Sequence, residues 1–340
     1  MYHVNGCSAY RTGTAPIERR GHPSPTDSPH YYATCGLRLA SQLEFPELRP
    51  LLAGMPADVE IVAEDLPDWL EDPDGSEHGL QYSGDRCQFN FEGIARYRVE
   101  QGHRIRVDRR VRPKPGASTP DGDPRLYPLG TALGALLHQK HWFPLNLSAL
   151  ETPSGIWGFT GASGAGKSTL VAWLHYCQGW PLVCDDVGVI RPGEVPPYLY
   201  PGPPRLKLCE DALATLGVET RGLVRKPARA GKYHLIQHQG FRSYAQPLRA
   251  LVTLEPAEEG ESATLEPLNG REAFKVVTAS LYHPEWAKIL NGSARLMTHA
   301  ADLARRIRVY RYRRHWSLDD MEQSLAPLVA HIHEAARHEA

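Results

Sequence analysis

The feature that most limits how this chain can fold is residues 161–168, Gly-Ala-Ser-Gly-Ala-Gly-Lys-Ser, which satisfy the pattern G-x-x-x-x-G-K-[ST]. Glycines at these positions let successive backbone N–H groups turn inward around an anion without Cβ clashes. A wholly apolar stretch, IWGFTG (156–161), enters the turn as a strand. STLVAWLHYCQ (168–178) leaves it as a helix that Gly179 caps, adding a positive dipole end. Gly161, Ala162, Ser163, Gly164, Ala165, Gly166, Lys167, Ser168 and Thr169 are therefore the expected triphosphate cradle. Lys167 suits the β- and γ-phosphates, and the Ser168 hydroxyl suits Mg²⁺. A Gly-rich strand–helix turn with no ligand is the plainer alternative, and the flanking strand and helix speak against it.

Eighteen residues beyond Lys167, after PLVC, comes the pair Asp185-Asp186. Phosphoryl-transfer sites place an acidic residue there to hold Mg²⁺ directly or through water. Successive side chains on a strand face opposite ways, so the two carboxylates are expected to divide the work. One meets the metal and the other an acceptor hydroxyl. The competing reading is a solvated turn, where Asp is common.

Charge spreads over the equatorial oxygens during transfer, so a cation beyond Lys167 is expected. Arg205, after the Pro-rich segment YPGPPRLKL (200–208), and Lys232, in ARAGKYHL, are the candidates, each weighed against an ordinary surface charge. Glu210 suits a helix start better than a metal. His138/His141 and His331/His333 have metal-compatible spacings but no acidic or thiol partners near in sequence, and read as structural. The run RRIRVYRYRRHW (305–316) interleaves Arg with aromatics, as single-stranded nucleic-acid binders do, or could meet an acidic peptide tail. An edge strand with charged gatekeepers is the blander reading and the preferred one.

The 38 basic and 39 acidic residues leave a net charge of −1, which argues against a nucleic-acid coat protein. Hydrophobic residues make up 41%, enough for a core, yet no stretch approaches the ~20 apolar residues that cross a bilayer. Six cysteines without metal-type spacing read as reduced thiols of a cytosolic protein, with Cys177 and Cys184 as small buried hydrophobes. Residues 1–30, rich in Gly, Pro, Ser and Thr, are expected to be a disordered tail. Alternating segments at 37–45, 59–65, 87–101 and 104–111 predict a small, mostly antiparallel N-terminal sheet over 31–124, and 113–124 reads as a loop. A helix is expected over 129–140, then the phosphate-loop unit through 340, with strands at 246–256 and 306–313. Further helices are expected at 210–217 and 271–281, and a closing helix from Ser317 with an Asp320 capping box.

The loop at 161–168, the Asp185-Asp186 pair, the Pro-rich lead to Arg205 and the segment PLNLSAL (144–150) together resemble the HPr kinase/phosphorylase family. The likeness is closest to stand-alone members with an added N-terminal β domain, which occur among peptide-tailoring enzymes such as those acting on lasso-peptide precursors. It covers about 125–255 well and 31–124 and 256–330 more loosely. It implies an α/β fold (α+β overall), with a P-loop kinase core of the HPr kinase/PEP carboxykinase type carrying an N-terminal β-rich domain. It also implies phosphorylation of a serine hydroxyl using ATP and Mg²⁺, with Asp185 as base and Asp186 beside Ser168 on the metal, or the reverse order. Full members carry a His where this chain has Asn146, and an amide cannot take a proton at neutral pH. Kinase chemistry is compatible with that change, whereas the reverse phosphorolysis is not expected, and HPr is not the expected acceptor.

The sequence thus leads to a cytoplasmic Mg·ATP-dependent kinase whose partner is a hydroxyl-bearing peptide or small protein, with neither nucleic acid nor membrane, and with room for a homo-oligomer. A small-molecule kinase acting on a sugar, amino acid or nucleoside is the enzymatic alternative. A nucleotide-gated binding module is the non-catalytic one.

Overall fold

A computed structural model describes residues 28–109, 127–219, 224–225 and 232–339. The expected tail, apart from its last three residues, and the loop at 113–124 lie outside the described residues.

The first sheet has eight strands: β1 (His30–Thr34), β2 (Leu37–Ser41), β3 (Val59–Ala63), β4 (Gly75–Glu77), β5 (Leu80–Ser83), β6 (Arg86–Phe91), β7 (Ala95–Glu100) and β8 (Arg104–Asp108). Their order is β1-β2-β3-β8-β7-β6-β5-β4, and only β3 pairs in parallel, with β2 on one side and β8 on the other. Period-2 alternation aims Leu39, Ile61, Tyr97 and Ile105 at one core, as a half-buried sheet requires. β1 starts at His30, inside the stretch expected to be tail, because Tyr32 packs edge-on against Phe45.

A π-turn (Pro128–Ala132) then leads into α1 (Leu133–Gln139), whose leucines seal the same core. The chain continues through β9 (Phe143–Leu145), β10 (Ser148–Thr152), β11 (Gly155–Thr160), α2 (Lys167–Gln178), β12 (Leu182–Cys184), β13 (Gly188–Ile190) and β14 (Tyr198–Tyr200). Next come β15 (Arg205–Cys209), α3 (Glu210–Thr215), β16 (Val224–Arg225), β17 (Lys232–Ile236), β18 (Gln246–Pro256) and β19 (Thr264–Leu268). The last elements are α4 (Gly270–Ala279), α5 (Pro284–Asn291), α6 (Ser293–Arg306), β20 (Arg308–Arg314) and α7 (Met321–Glu339). In the nine-stranded sheet, β18 is the hub. It pairs in parallel with β11 on one side and β20 on the other, while its first residues join β14. Such doubly covered strands read as near-continuous apolar runs, and five of the six residues of β11 are buried. β15, β17 and β16 form a third, small sheet. The result is mixed α/β.

Several expectations need correction. The segment 205–208 is a strand rather than a Pro-rich loop, because β17 supplies its ladder partners. The closing helix begins at Met321, so Ser317 does not start it. Cys177 is only half-buried, although Cys184 is buried, and the five described cysteines are free. β20 is not an edge strand, since β18 and β19 flank it. Its cations Arg311 and Arg313 are answered by Glu255 and Glu266 on those neighbours. No helix among the described residues is long and apolar enough to cross a membrane.

Candidate active site

β11 ends at Thr160 and α2 begins at Lys167, so the glycine-rich turn bridges a buried parallel strand and a helix N-terminus. Gly161, Gly164 and Gly166 have φ of 139°, 92° and 75°, a left-handed region that side chains rarely enter. At Gly161 space is short as well, since a Cβ would lie 2.9 Å from the Leu254 carbonyl oxygen. Lys167 Nζ donates to the carbonyls of Gly161, at 2.8 Å, and Ala162, at 3.2 Å, which keeps the ammonium over the loop.

The turn opens on a cleft of about 450 Å³. Beneath the helix end lies Asp185, 2% exposed. Its Oδ1 accepts the hydroxyls of Ser148 at 2.5 Å and Ser168 at 2.8 Å, and its Oδ2 accepts the Lys207 amide at 2.7 Å. The sheet explains this meeting: β10 pairs with both β11 and β12, which sets Ser148 beside the residue that follows Cys184. Burial pushes the Asp185 carboxyl up, against the pull of the Ser148, Lys207 and Ser168 donors.

Asp186 faces the other way. Its φ is 87°, an uncommon left-handed conformation for a residue with a side chain, and it turns the carboxylate into the cleft. There the Lys207 ammonium pairs with Oδ2, and the Tyr282 hydroxyl donates to the same oxygen at 3.5 Å. Burial pushes the Lys207 ammonium down and Asp186 opposes it; burial also pushes the Tyr282 phenol well up. Of the two orders left open for the acidic pair, the Ser168 contact is made by Asp185, because the strand stops at Cys184 and the turn after it redirects the second carboxylate.

The two candidate cations separate. Lys232 lines the cleft at the start of β17, opposite Cys209 of β15. Arg205 does not line it: the guanidinium is buried and bridges to Glu47 of the N-terminal part at 2.9 Å. None of residues 28–109 lines the cleft, so the first sheet buttresses β15 through that pair. Glu210 starts α3, as expected for a carboxylate near a helix N-terminus. His138 is buried and its Nε2 lies 2.7 Å from the Tyr282 carbonyl, while His331 packs edge-on against Trp157 and Tyr310. No group of three or more potential metal-ligating residues occurs among the described residues.

Three residues that line the cleft, Ser148, Lys207 and Tyr282, escaped the sequence reading as site residues, as did Arg314, which packs behind the loop without lining the cleft. Ser148 sits in an apolar lead-in strand, and Lys207 shares the face of β15 with Arg205 at i, i+2. Tyr282 comes from the α4–α5 turn, with its ring against Gly134, where a Cβ would lie 2.6 Å away. A glycine inside a helix was the available signal for that approach. Arg314, at the end of β20, is 2% exposed, and its Nη2 lies 3.4 Å from where a Gly166 Cβ would stand. Among the described residues no carboxylate pairs with it, and its Nη1 meets the His315 carbonyl at 3.1 Å.

No family model matches the chain, and no curated protein matches it. Among solved structures, the Hpr(Ser) kinase/phosphatase from Coxiella burnetii is similar over 58% of this chain and 95% of its own, at 13% identity and a TM-score of 0.28. So slight a likeness says nothing about chemistry, which rests on the geometry above.

Proposed function

We propose that the chain is a Mg·ATP-dependent kinase that transfers the γ-phosphate to a hydroxyl, with a serine of a peptide or small protein as the acceptor. One observation carries this reading: a single turn sends Asp185 to the Ser168 hydroxyl and Asp186 into the cleft beside Lys207 and Tyr282. Two neighbouring carboxylates with different environments suit two different tasks.

The residues present fit Mg²⁺ and a triphosphate. Ser168 and Asp185 offer one hydroxyl and one buried carboxylate, and this ion commonly takes its remaining ligands from phosphates and water. When bound, it neutralises charge developing on the transferred group. The backbone N–H groups of 162–169 would hold the phosphates, and Lys167, now on the loop carbonyls, would supply positive charge to the β- and γ-oxygens. Arg314 adds fixed positive charge behind Gly166. Asp186 accepts the proton of the acceptor hydroxyl, with Lys207 and Tyr282 orienting its carboxylate, and Lys232 faces the phosphate from across the cleft. Asp185, expected from the resemblance to be the base, is enclosed by three donors, so the metal role passes to it. Arg205 positions β15 and touches no substrate.

Incubation with ATP, Mg²⁺ and serine-bearing peptides, followed by mass, tests this reading. A phosphorylated peptide supports it. Phosphorylation of free sugars, amino acids or nucleosides, with no peptide modified, moves the acceptor to the small-molecule class.

A further inference from the structure

The strongest unassigned feature lies at the opposite end of the sheet from the phosphate loop. A groove of about 280 Å³ runs past the starts of β11, β18 and β20, with Arg249, Arg305, Arg306 and Arg308 on its rim. A second groove, about 420 Å³, adjoins it and shares Arg305, Ile307 and Arg308. Leu248 lines the first groove and Leu254 touches the phosphate loop, so six residues of β18, about 20 Å, separate the two sites.

All four arginines are exposed, and no acidic residue lines either groove. Arg306 pairs with Asp302 one helical turn away, whereas Arg249 and Arg305 pair with no carboxylate among the described residues. By comparison, Arg311 and Arg313, further along β20, are matched by glutamates. Between the guanidinium groups the accessible apolar surface comes from Pro196 and Pro247, with Trp157, Leu248, Pro197 and Ile307 packed beneath it.

We infer that this trough docks an extended acidic peptide segment whose carboxylates meet the arginines and whose apolar side chains lie on the floor. Planar guanidinium forks bind carboxylates in bidentate fashion. An elongated trough with an apolar base fits an extended chain better than a single small anion. Nucleic acid is disfavoured because Trp157 and Tyr310 are 1% and 7% exposed and offer no ring for a base to stack on. The trough is independent of the kinase reading, since its occupant need not be the acceptor.

The test uses the full chain and a fluorescein-labelled peptide of alternating Glu and Val, read by anisotropy. Because both residues are exposed, Arg249→Glu with Arg305→Glu should fold with an unchanged melting temperature. Binding to the natural chain, at least about tenfold weaker in the double variant and partly retained in the double Lys variant, is the expected result. Nucleotide binding should be the same in all three proteins, which separates failure here from failure of the kinase reading. Equal peptide binding by natural and Glu-substituted chains overturns the inference. So does tighter binding of tripolyphosphate or single-stranded RNA through the same arginines.

Discussion

The Ser168 hydroxyl donates to Asp185 Oδ1 over 2.8 Å, joining the first turn of the loop helix to the residue that follows β12. Because Ser148 and the Lys207 amide occupy the rest of that carboxylate, Asp186 is left as the acidic group open to the cleft. The division of labour between the two acids follows from this contact.

Asp185→Asn should separate metal binding from folding. The Lys207 amide needs an acceptor, which the Asn carbonyl supplies, and the two serine hydroxyls can turn to accept from its NH₂. Mg²⁺ should then no longer strengthen ATP binding in calorimetry. Burial raises the folded carboxyl above its unfolded value, so its ionisation costs stability at neutral pH. The variant should therefore melt higher than the natural chain at pH 7, with the gain fading as pH falls toward the unfolded carboxyl range. An unchanged Mg²⁺ dependence would contradict the assignment.

Arg205 and Glu47 should behave as a structural pair. Removing either alone leaves a buried charge unmatched, at a cost of about 3–5 kcal/mol in denaturant unfolding. The double variant Arg205→Met, Glu47→Leu should recover most of that loss and keep kcat within about threefold of the natural chain. A fall of a hundredfold or more in a stable double variant would instead give Arg205 a part in the chemistry.

Acid should loosen the cleft through His138. Burial lowers its pKa to about 4, and Nε2 is read as the N–H because its partner, the Tyr282 carbonyl, can only accept. The unfolded chain, with a value of 6.5, binds this proton first, so stability is full above pH 6.5 and is lost as pH falls toward 4. The difference converts to roughly 3 kcal/mol. His138→Gln should flatten this part of the melting-temperature profile, and a variant that retains the full slope would place the titrating group elsewhere.

Much of the loop was legible because its determinants are consecutive: three glycines, Lys167 and Ser168 describe the turn with no help from distant residues. The acidic pair was legible in place but not in direction. Strand alternation assumes a strand that continues, and Asp186 leaves it with a φ of 87°. Arg205 looked like a phosphate ligand because its partner Glu47 is 158 residues away. The basic run at 305–316 looked like a charged edge for the same reason, its glutamates lying on β18 and β19. α6 went unread although Leu296, Ala300 and Leu303 keep helical spacing, since alanine marks a buried face only weakly. Tyr282 had no local signature, and its place depends on Gly134 and His138.

Arg314 should matter in proportion to phosphate. Arg314→Met is expected to weaken ATP and inorganic tripolyphosphate by about tenfold while leaving adenosine unchanged, and Arg314→Lys to recover part of the loss. Its burial without a carboxylate partner among the described residues predicts no drop in melting temperature. Equal weakening of adenosine would mean that the guanidinium only shapes the loop.

The most direct measurement is single-turnover transfer of labelled γ-phosphate from Mg·ATP to serine-bearing peptides, comparing the natural chain with Asp186→Asn. Label should appear on a serine hydroxyl with the natural chain. In the variant the rate should fall at least about a hundredfold while the ATP dissociation constant stays within about threefold. Equal transfer by both proteins, or label passing only to water with the natural chain, would contradict Asp186 as the base of a hydroxyl kinase.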